Sequence, residues 1–379
     1  MSSNPLVQLH QYGQSVWLDQ ISRSLMTTGK LKRLIDEDGL RGMTSNPTIF
    51  QKAIGKGEDY AEELKQLARS GSSVSDVYEA LVVKDIGSAA DIFRPVYDSE
   101  NGGDGFVSLE VSPLLANDTQ ATIKEAKDLW ARLNRPNVMI KVPATPAGLP
   151  AIEELIGSGL NINVTLIFAV EVYERVAEAY IRGLERRVKA GQPIDRIASV
   201  ASFFVSRIDT AVDKQLEQLA AKESDAARKP KINSLLGKAA IANARLAYES
   251  FKKIFSGDRW NKLQQEGARV QRPLWASTST KDPKYRDTLY VEELIGRNTV
   301  NTMPLGTIDD FRDHGVGKPT LEIGLDGAHR TFAELKEVGI DMQAVTKKLT
   351  EDGVASFAES FNGLIEVIKA RRDEMSRAA

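Results

Sequence analysis

The chain of 379 residues contains no cysteine and only three histidines, His10, His314 and His329. The absence of cysteine excludes disulfide bonds, thiolate metal sites and cysteine nucleophiles. Three scattered histidines are too few for a histidine-rich metal site. Any catalytic chemistry must therefore run on lysine, carboxylates, hydroxyls or amides.

The chain also lacks a large net charge and a long apolar run. Its 50 basic and 52 acidic residues leave a net charge of −2, so no electrostatic attraction for nucleic acid or for an anionic membrane is expected. No apolar run approaches the roughly 20 residues that span a bilayer. The first residues, MSSNPLVQLHQYGQ, do not have the pattern of a secretory signal. We therefore expect a cytoplasmic globular protein without nucleic-acid or membrane partners.

Eight short apolar segments recur along the chain, separated by longer stretches with helical periodicity. One such stretch follows Asp118, a candidate N-cap, and carries apolar residues at steps of three and four, namely Ile123, Ala126, Trp130 and Leu133. The apolar segments predict strands at residues 15–20, 42–46, 105–111, 137–143, 161–168, 196–205, 273–278 and 298–304.

Strands that alternate with helices pair in parallel through right-handed crossovers. Eight such units predict a closed (β/α)8 TIM barrel, which typically needs about 250 residues. The remaining residues predict helical insertions at about 47–104 and 206–272 and a helical tail at about 330–379, all in a single domain of residues 1–379. An open, doubly wound sheet is the alternative, because periodicity does not show whether the sheet closes.

Polar side chains interrupt six of the predicted strands, in or near their C-terminal halves. Any one of them could be a hydrogen-bonded core residue, but every buried polar group needs a partner. Barrel enzymes assemble their active sites at the C-terminal ends of the strands. We therefore expect these side chains to converge on the barrel axis: Asp19, Thr44, Asn46, Glu110, Lys141, Asn163, Thr165 and Ser202.

Lys141 lies within the apolar segment NVMIKVP, although lysine is rarely buried without a partner. The residues alone leave two explanations: the ammonium reaches solvent from the strand end, or an apolar site keeps the amine uncharged and nucleophilic. In the second case Lys141 forms a Schiff base with a ketone, whose iminium accepts electrons during C–C cleavage. Asp19 and Glu110 could then move the protons. No dinucleotide-binding or Walker motif is present, and no cofactor or metal is predicted.

A second group of residues favours phosphate binding. Arg207 follows the sixth predicted strand, and the segment ASTSTKDP, which includes Lys281, follows the seventh. Hydroxyls and cations suit phosphate oxygens, and barrels often bind phosphate after their late strands. The alternative is an ordinary ion pair at Arg207 and a turn filled by serine and threonine.

Four segments resemble the signatures of the transaldolase family in order and spacing: GMTSNPTIF (42–50), NVMIKVPAT (137–145), GLNINVTLIF (159–168) and SVASFFVSRID (199–209). The length and the segment WASTSTKDP are most similar to the longer bacterial form. This resemblance implies a (β/α)8 barrel and an enzyme of the non-oxidative pentose phosphate pathway. The reaction would move a dihydroxyacetone unit reversibly from sedoheptulose 7-phosphate to glyceraldehyde 3-phosphate, giving erythrose 4-phosphate and fructose 6-phosphate.

The resemblance also implies roles for individual residues. Lys141 matches the Schiff-base lysine, and Asp19 matches the acid/base at the C4 hydroxyl. Glu110 and Thr165 match the pair that holds the catalytic water. The substrate-binding positions of the family correspond to Thr44, Asn46, Asn163, Ser202 and Phe204, and its phosphate-binding positions to Arg207 and Ser277.

One position departs from the family pattern. Many relatives have an arginine two residues after Ser277, where this chain has Ser279, and Lys281 could supply the missing charge.

Two other functions remain open: a fructose-6-phosphate-type Schiff-base aldolase, which releases the three-carbon unit, and a non-catalytic barrel that binds sugar phosphates. The presence of Lys141 and Asp19 argues against the second. The sequence predicts no oligomeric state.

Overall fold

A computed structural model describes residues 4–56 and 58–377. Eight parallel strands form a closed barrel in which each strand pairs with the next and the eighth pairs with the first. The predicted barrel is therefore confirmed. The strands are β1 Gln14–Asp19, β2 Gly42–Thr44, β3 Phe106–Glu110, β4 Val138–Pro143, β5 Ile162–Ile167, β6 Ser199–Phe204, β7 Arg272–Ala276 and β8 Thr299–Met303.

Helices surround this ring, and within the described ranges none is long and apolar enough to cross a membrane. Up to β4 they are α1 Pro5–Gln11, α2 Arg23–Thr27, α3 Lys30–Asp38, α4 Pro47–Lys56, α5 Ala61–Arg69, α6 Val74–Ser99 and α7 Thr119–Leu133. Between β4 and β7 lie α8 Gly148–Gly157, α9 Val170–Lys189, α10 Ser206–Lys222, α11 Arg228–Asn233, α12 Ala239–Ile254 and α13 Asp258–Gln265. The last four are α14 Leu289–Glu293, α15 Leu305–His314, α16 Leu325–Val338 and α17 Met342–Arg377.

Side-chain caps explain where several elements begin and end. The second strand was predicted to reach Asn46 but ends at Thr44, because the Asn46 side chain accepts a hydrogen bond from the Ile49 N–H (3.0 Å) at the start of α4. Asp118 accepts a hydrogen bond from the Ala121 N–H (2.9 Å), which confirms it as the N-cap of α7. The sequence therefore located the elements, while local caps set their ends.

The strand β5 is irregular near its C-terminal end. Its register with β6 shifts between Val164 and Ile167, and Leu166 has a φ of 60°. A leucine rarely adopts this left-handed conformation, which costs on the order of 1–3 kcal/mol. Bulges of this kind redirect side chains, and Thr165 lines the cavity described below.

The last helix, α17, crosses the C-terminal end of the barrel. It packs against α4, α5, α6, α10 and β5. The Thr48 hydroxyl on α4 donates a hydrogen bond to the Ser360 hydroxyl on α17 (2.8 Å), and the Arg371 guanidinium donates to the Ile54 carbonyl (2.5 Å). The predicted helical tail is thus part of the wall around the site.

A buried polar network closes the opposite, N-terminal end of the barrel. The Asp104 carboxylate accepts hydrogen bonds from the Trp17 indole (2.8 Å), from the Gly105 N–H (3.2 Å) and from the Ser15 hydroxyl. Arg272 Nη1 lies 3.3 Å from the same carboxylate. This charge is therefore buried with its hydrogen bonds made.

Candidate active site

A cavity of about 310 Å³ opens at the C-terminal ends of the strands. Ten of the twelve predicted site residues line it: Asp19, Thr44, Asn46, Lys141, Thr165, Ser202, Phe204, Arg207, Ser277 and Lys281. Glu110 and Asn163 are the exceptions, and both are buried next to residues that line the cavity. The predicted convergence of polar side chains on the barrel axis therefore occurs.

Lys141 lies in the cavity and is paired. The register of β3, β4 and β5 places Glu110, Lys141 and Asn163 side by side. Lys141 Nζ lies 3.4 Å from Glu110 Oε2, with both side chains about 5% exposed, and it donates a hydrogen bond to the Ser45 carbonyl (3.2 Å). The amine is therefore buried and paired with a carboxylate, and it does not reach the outer surface from the end of the strand.

Two buried oxygens close to Lys141 have hydrogen-bonding capacity to spare. Within the part of the chain that the structure describes, neither Glu110 Oε2 nor Thr165 Oγ1 has a hydrogen-bond partner. Burial raises the pKa of the Glu110 carboxyl, although the positive charge of Lys141 opposes the shift. A buried polar atom without a partner is costly, and in this position it suits a polar ligand.

Asp19 is a partly buried carboxyl that takes part in a chain of hydrogen-bonded hydroxyls. It accepts a hydrogen bond from the Thr44 hydroxyl (2.7 Å), which lies 2.8 Å from the hydroxyl of Thr302 on β8. Burial raises the pKa of Asp19, and the charge of Lys141 opposes this. A carboxyl with a raised pKa is a better base than an exposed one.

Asn163 lies deeper in the barrel than the cavity and contacts a residue that lines it. Its amide donates a hydrogen bond to the Ser108 hydroxyl (3.0 Å), and its carbonyl oxygen accepts one from the Ser202 hydroxyl (2.7 Å). Asn163 is the second residue of β5, so it lies just before the C-terminal half of its strand. Its position deeper in the barrel places it in contact with Ser202, which lines the cavity.

Two cations lie on the side of the cavity formed after β6 and β7. The Arg207 guanidinium, in the first turn of α10, is 5.1 Å from the centre of the Phe204 ring. Lys281 Nζ donates a hydrogen bond to the Ser279 hydroxyl (2.6 Å). Burial lowers the pKa of both groups, and the charge of Arg207 adds to this effect at Lys281. Neighbouring cations that are partly removed from water are well suited to bind an anion.

The loop after β7 packs against the start of α10, on the side of the cavity that carries the two cations. Ser277 has a φ of 58°, unusual for a serine. Its hydroxyl lies 2.9 Å from that of Ser206, the first residue of α10. The Ser206 N–H also donates a hydrogen bond to the Ser277 carbonyl (3.1 Å). These contacts join the loop of Ser277 and Lys281 to the helix that carries Arg207.

Sequence reasoning missed several residues that line the cavity. The centre of the Phe357 ring, on α17, lies 5.6 Å from Lys141 Nζ. The apolar face of this helix was visible in the sequence, but periodicity does not show what such a face packs against. The other missed residues are Thr48, Ile49, Lys52, Ala276, Ser279, Thr302 and Pro304.

Comparison with known proteins gives matches over nearly the whole chain. Residues 16–368 match the family described as Transaldolase/Fructose-6-phosphate aldolase. The chain is 50% identical over 378 residues to a transaldolase of Parafrankia sp., covering 100% of both chains. It is 46% identical over 374 residues to a protein named transaldolase 2 from Nostoc sp., covering 98% of each. It is 47% identical over 364 residues to a transaldolase of Thermobifida fusca, covering 96% of this chain and 97% of the relative.

Proposed function

Because the chain belongs to the transaldolase/fructose-6-phosphate aldolase family, we propose that its barrel carries out transaldolase chemistry with Lys141 as the nucleophile. The enzyme is a transferase. It moves a dihydroxyacetone unit from sedoheptulose 7-phosphate to glyceraldehyde 3-phosphate, so that erythrose 4-phosphate leaves and fructose 6-phosphate forms. The observation that carries the assignment of the site is the buried Lys141 amine, 3.4 Å from the Glu110 carboxylate and inside the cavity.

The first step forms the Schiff base. The Lys141 ammonium first passes a proton to the neighbouring Glu110 carboxylate. The resulting amine adds to the C2 carbonyl of the ketose, and loss of one water gives the iminium. Proton transfers accompany both the addition and the departure of water. The closeness of Glu110 to the amine supports a role in these transfers. Glu110 Oε2 and Thr165 Oγ1 have no hydrogen-bond partner among the described residues, which supports a shared water there.

The second step breaks the bond between C3 and C4. Asp19 removes the proton of the C4 hydroxyl, the aldose leaves, and the electron pair of the broken bond moves into the iminium to give an enamine. The raised pKa of the partly buried Asp19 carboxyl supports its role as the base. The hydrogen bond from Thr44 orients this carboxyl. When the acceptor aldehyde enters, C3 of the enamine bonds to its carbonyl carbon and the proton on Asp19 passes to the new C4 oxygen. One water then hydrolyses the iminium and releases fructose 6-phosphate and the lysine amine.

The remaining polar residues hold the substrate at its two ends. Asn46 and Ser202 bind the hydroxyls of the dihydroxyacetone unit, and Asn163 holds Ser202 in place through its hydrogen bond. Arg207, Ser277 and Lys281 bind the phosphate, with Phe204 packed against the arginine. The exposure of Lys281 to the cavity, next to Ser279, supports it as the replacement for the arginine that many relatives carry.

Borohydride reduction in the presence of a ketose donor tests the proposal. A three-carbon unit should be fixed on the peptide that contains Lys141, as detected by peptide mass. Lys141→Ala should lose the adduct, whereas Lys284→Ala should keep it, because Lys284 is exposed and paired with Glu217 outside the cavity. An undiminished adduct in Lys141→Ala would refute the assignment.

Erythrose 4-phosphate that appears only with an aldehyde acceptor is the result expected of a transferase, and steady release of dihydroxyacetone without acceptor would indicate an aldolase.

A further inference from the structure

An aromatic ring from the distant C-terminal helix covers the reactive amine. The Phe357 side chain on α17 is 5% exposed, lines the cavity, and has its ring centre 5.6 Å from Lys141 Nζ. A cation within about 6 Å of an aromatic ring face is stabilised by the ring quadrupole. The Schiff-base iminium that replaces the ammonium is also a cation, so the ring is placed to stabilise it.

Close packing on both sides of Phe357 holds α17 against the barrel. At Gly353, one turn before it, an added Cβ would lie 2.8 Å from Leu166 Cδ2 and 3.8 Å from Arg207 Nη1. At Gly363, beyond it, an added Cβ would lie 2.4 Å from the Gln51 amide. Both glycines therefore let α17 approach the barrel more closely than a larger residue would. Between them, Ser360 is joined to α4 by its hydrogen bond with Thr48.

The enamine on Lys141 has two possible fates. If its C3 attacks the carbonyl carbon of an aldehyde acceptor, a new C–C bond forms and the unit is transferred. If C3 instead takes a proton from water, the resulting iminium is hydrolysed by one water to free dihydroxyacetone and the free amine. That water balances the one lost when the Schiff base formed, so the net reaction is a retro-aldol cleavage without a co-reactant. Access of water to the enamine therefore decides between the two.

We propose that Phe357 determines the reaction specificity of this site: its ring shields the lysine-bound three-carbon intermediate from water and so favours transfer over release. The inference rests on the proposed function of Lys141. It assigns this task to α17, an element outside the eight βα units, which packs on the strained residue Leu166 of the barrel.

The test measures the ratio of free dihydroxyacetone released to dihydroxyacetone transferred. Phe357→Ala opens the space above Lys141 and should raise this ratio about tenfold, equivalent to a modest change in relative barrier heights. Phe357→Leu keeps an apolar cover and should raise it by about threefold. Phe361→Ala is the matched control, because Phe361 lies one turn further along, packs edge-on against Tyr78 (5.3 Å) and does not line the cavity. Its ratio should match that of the wild type.

Two results would overturn the proposal. One is a wild-type ratio in Phe357→Leu and in any folded Phe357→Ala, and the other is an equal rise in Phe361→Ala, which would indicate general loosening of α17. Borohydride trapping on the wild type separates this inference from its premise. No adduct on Lys141 would refute the proposed function, whereas a normal adduct with an unchanged ratio in the variants would refute only the role of Phe357.

Discussion

At each end of the barrel a buried carboxylate forms an ion pair, and the two pairs are of nearly equal length but lie in different surroundings. At the N-terminal end, Asp104 and Arg272 are 3.3 Å apart, and the carboxylate also accepts hydrogen bonds from Trp17 and Ser15. At the C-terminal end, Glu110 and Lys141 are 3.4 Å apart, and Glu110 Oε2 has no hydrogen-bond partner among the described residues. The separation of the charges does not distinguish the pairs, whereas their unused hydrogen-bonding capacity does.

This difference separates structural polar groups from reactive ones. A buried carboxylate that accepts several hydrogen bonds is fixed in position, and Asp104 is of this kind. A buried carboxyl with a raised pKa and an oxygen that has no hydrogen-bond partner, such as Glu110, is suited to exchange protons and to bind a ligand. Substitutions at the two ends should therefore affect different properties, rate at one end and stability at the other.

The largest effect is expected for Asp19→Asn at the C-terminal end. The amide cannot accept the proton of the C4 hydroxyl, so kcat for transfer should fall by roughly 10²–10⁴. The Lys141 adduct trapped from the intact ketose should persist, since Schiff-base formation does not require Asp19 in this mechanism. Steady-state kinetics and peptide mass measure the two quantities. A rate within a few-fold of the wild type would contradict the role of Asp19.

At the N-terminal end, Asp104→Asn should affect stability instead. It leaves the partly buried Arg272 guanidinium without its carboxylate. The loss of unfolding free energy should therefore be smaller than the roughly 3–5 kcal/mol typical of a fully buried pair. The kcat per folded molecule should stay close to that of the wild type, because Asp104 does not line the active-site cavity. Denaturant unfolding and kinetics on the same preparation measure both. A loss of kcat with unchanged stability would contradict the structural role of Asp104 and its difference from Glu110.

A third buried carboxyl, that of Asp209, extends the comparison of the two ion pairs, because its hydrogen bonds come from neutral groups instead of from a cation. Asp209 accepts from the Ala240 N–H (2.7 Å) and the Tyr290 hydroxyl (2.9 Å), and burial raises its pKa from 3.8 to about 7. Between these values the folded protein binds a proton that the unfolded chain releases, so folding stability falls as pH rises, by up to about 1.4 kcal/mol per pH unit.

Asp209→Asn removes this titration. The stability of the variant relative to the wild type should therefore increase from about pH 4 to about pH 7 and then level off. Unfolding free energies measured at several pH values across this range test the effect. A difference between the two proteins that does not change with pH would show that Asp209 does not titrate in this way.

The sequence predicted the fold well because parallel barrel strands are buried on both faces and stand out as apolar runs. It also predicted most of the site, since a lysine or a carboxylate in such a run is conspicuous. The prediction was poorest where a side chain forms a local hydrogen bond with the backbone. Asn46 was assigned to a strand, although it caps α4. Periodicity does not show which polar residue will form a local hydrogen bond.

Residues contributed by remote elements were harder to predict. Phe357 belongs to an ordinary apolar helix face, and only the packing of α17 places it over Lys141. Thr302 is one of several threonines near β8, and its contact with Thr44 depends on the closure of the ring. Asn163 was predicted in the site but lies beneath it, because its depth depends on the register of neighbouring strands. These features follow from three-dimensional packing rather than from local pattern.

The pairing of β8 with β1 also matters for synthesis on the ribosome. A nascent chain that extends only through β7 exposes the unpaired edges of β1 and β7, and such edges readily recruit strands from other molecules. Insertion of β8, which pairs with β1 on one side and with β7 on the other, removes both edges at once. Protection from edge-to-edge aggregation is therefore acquired late in translation and in a single step.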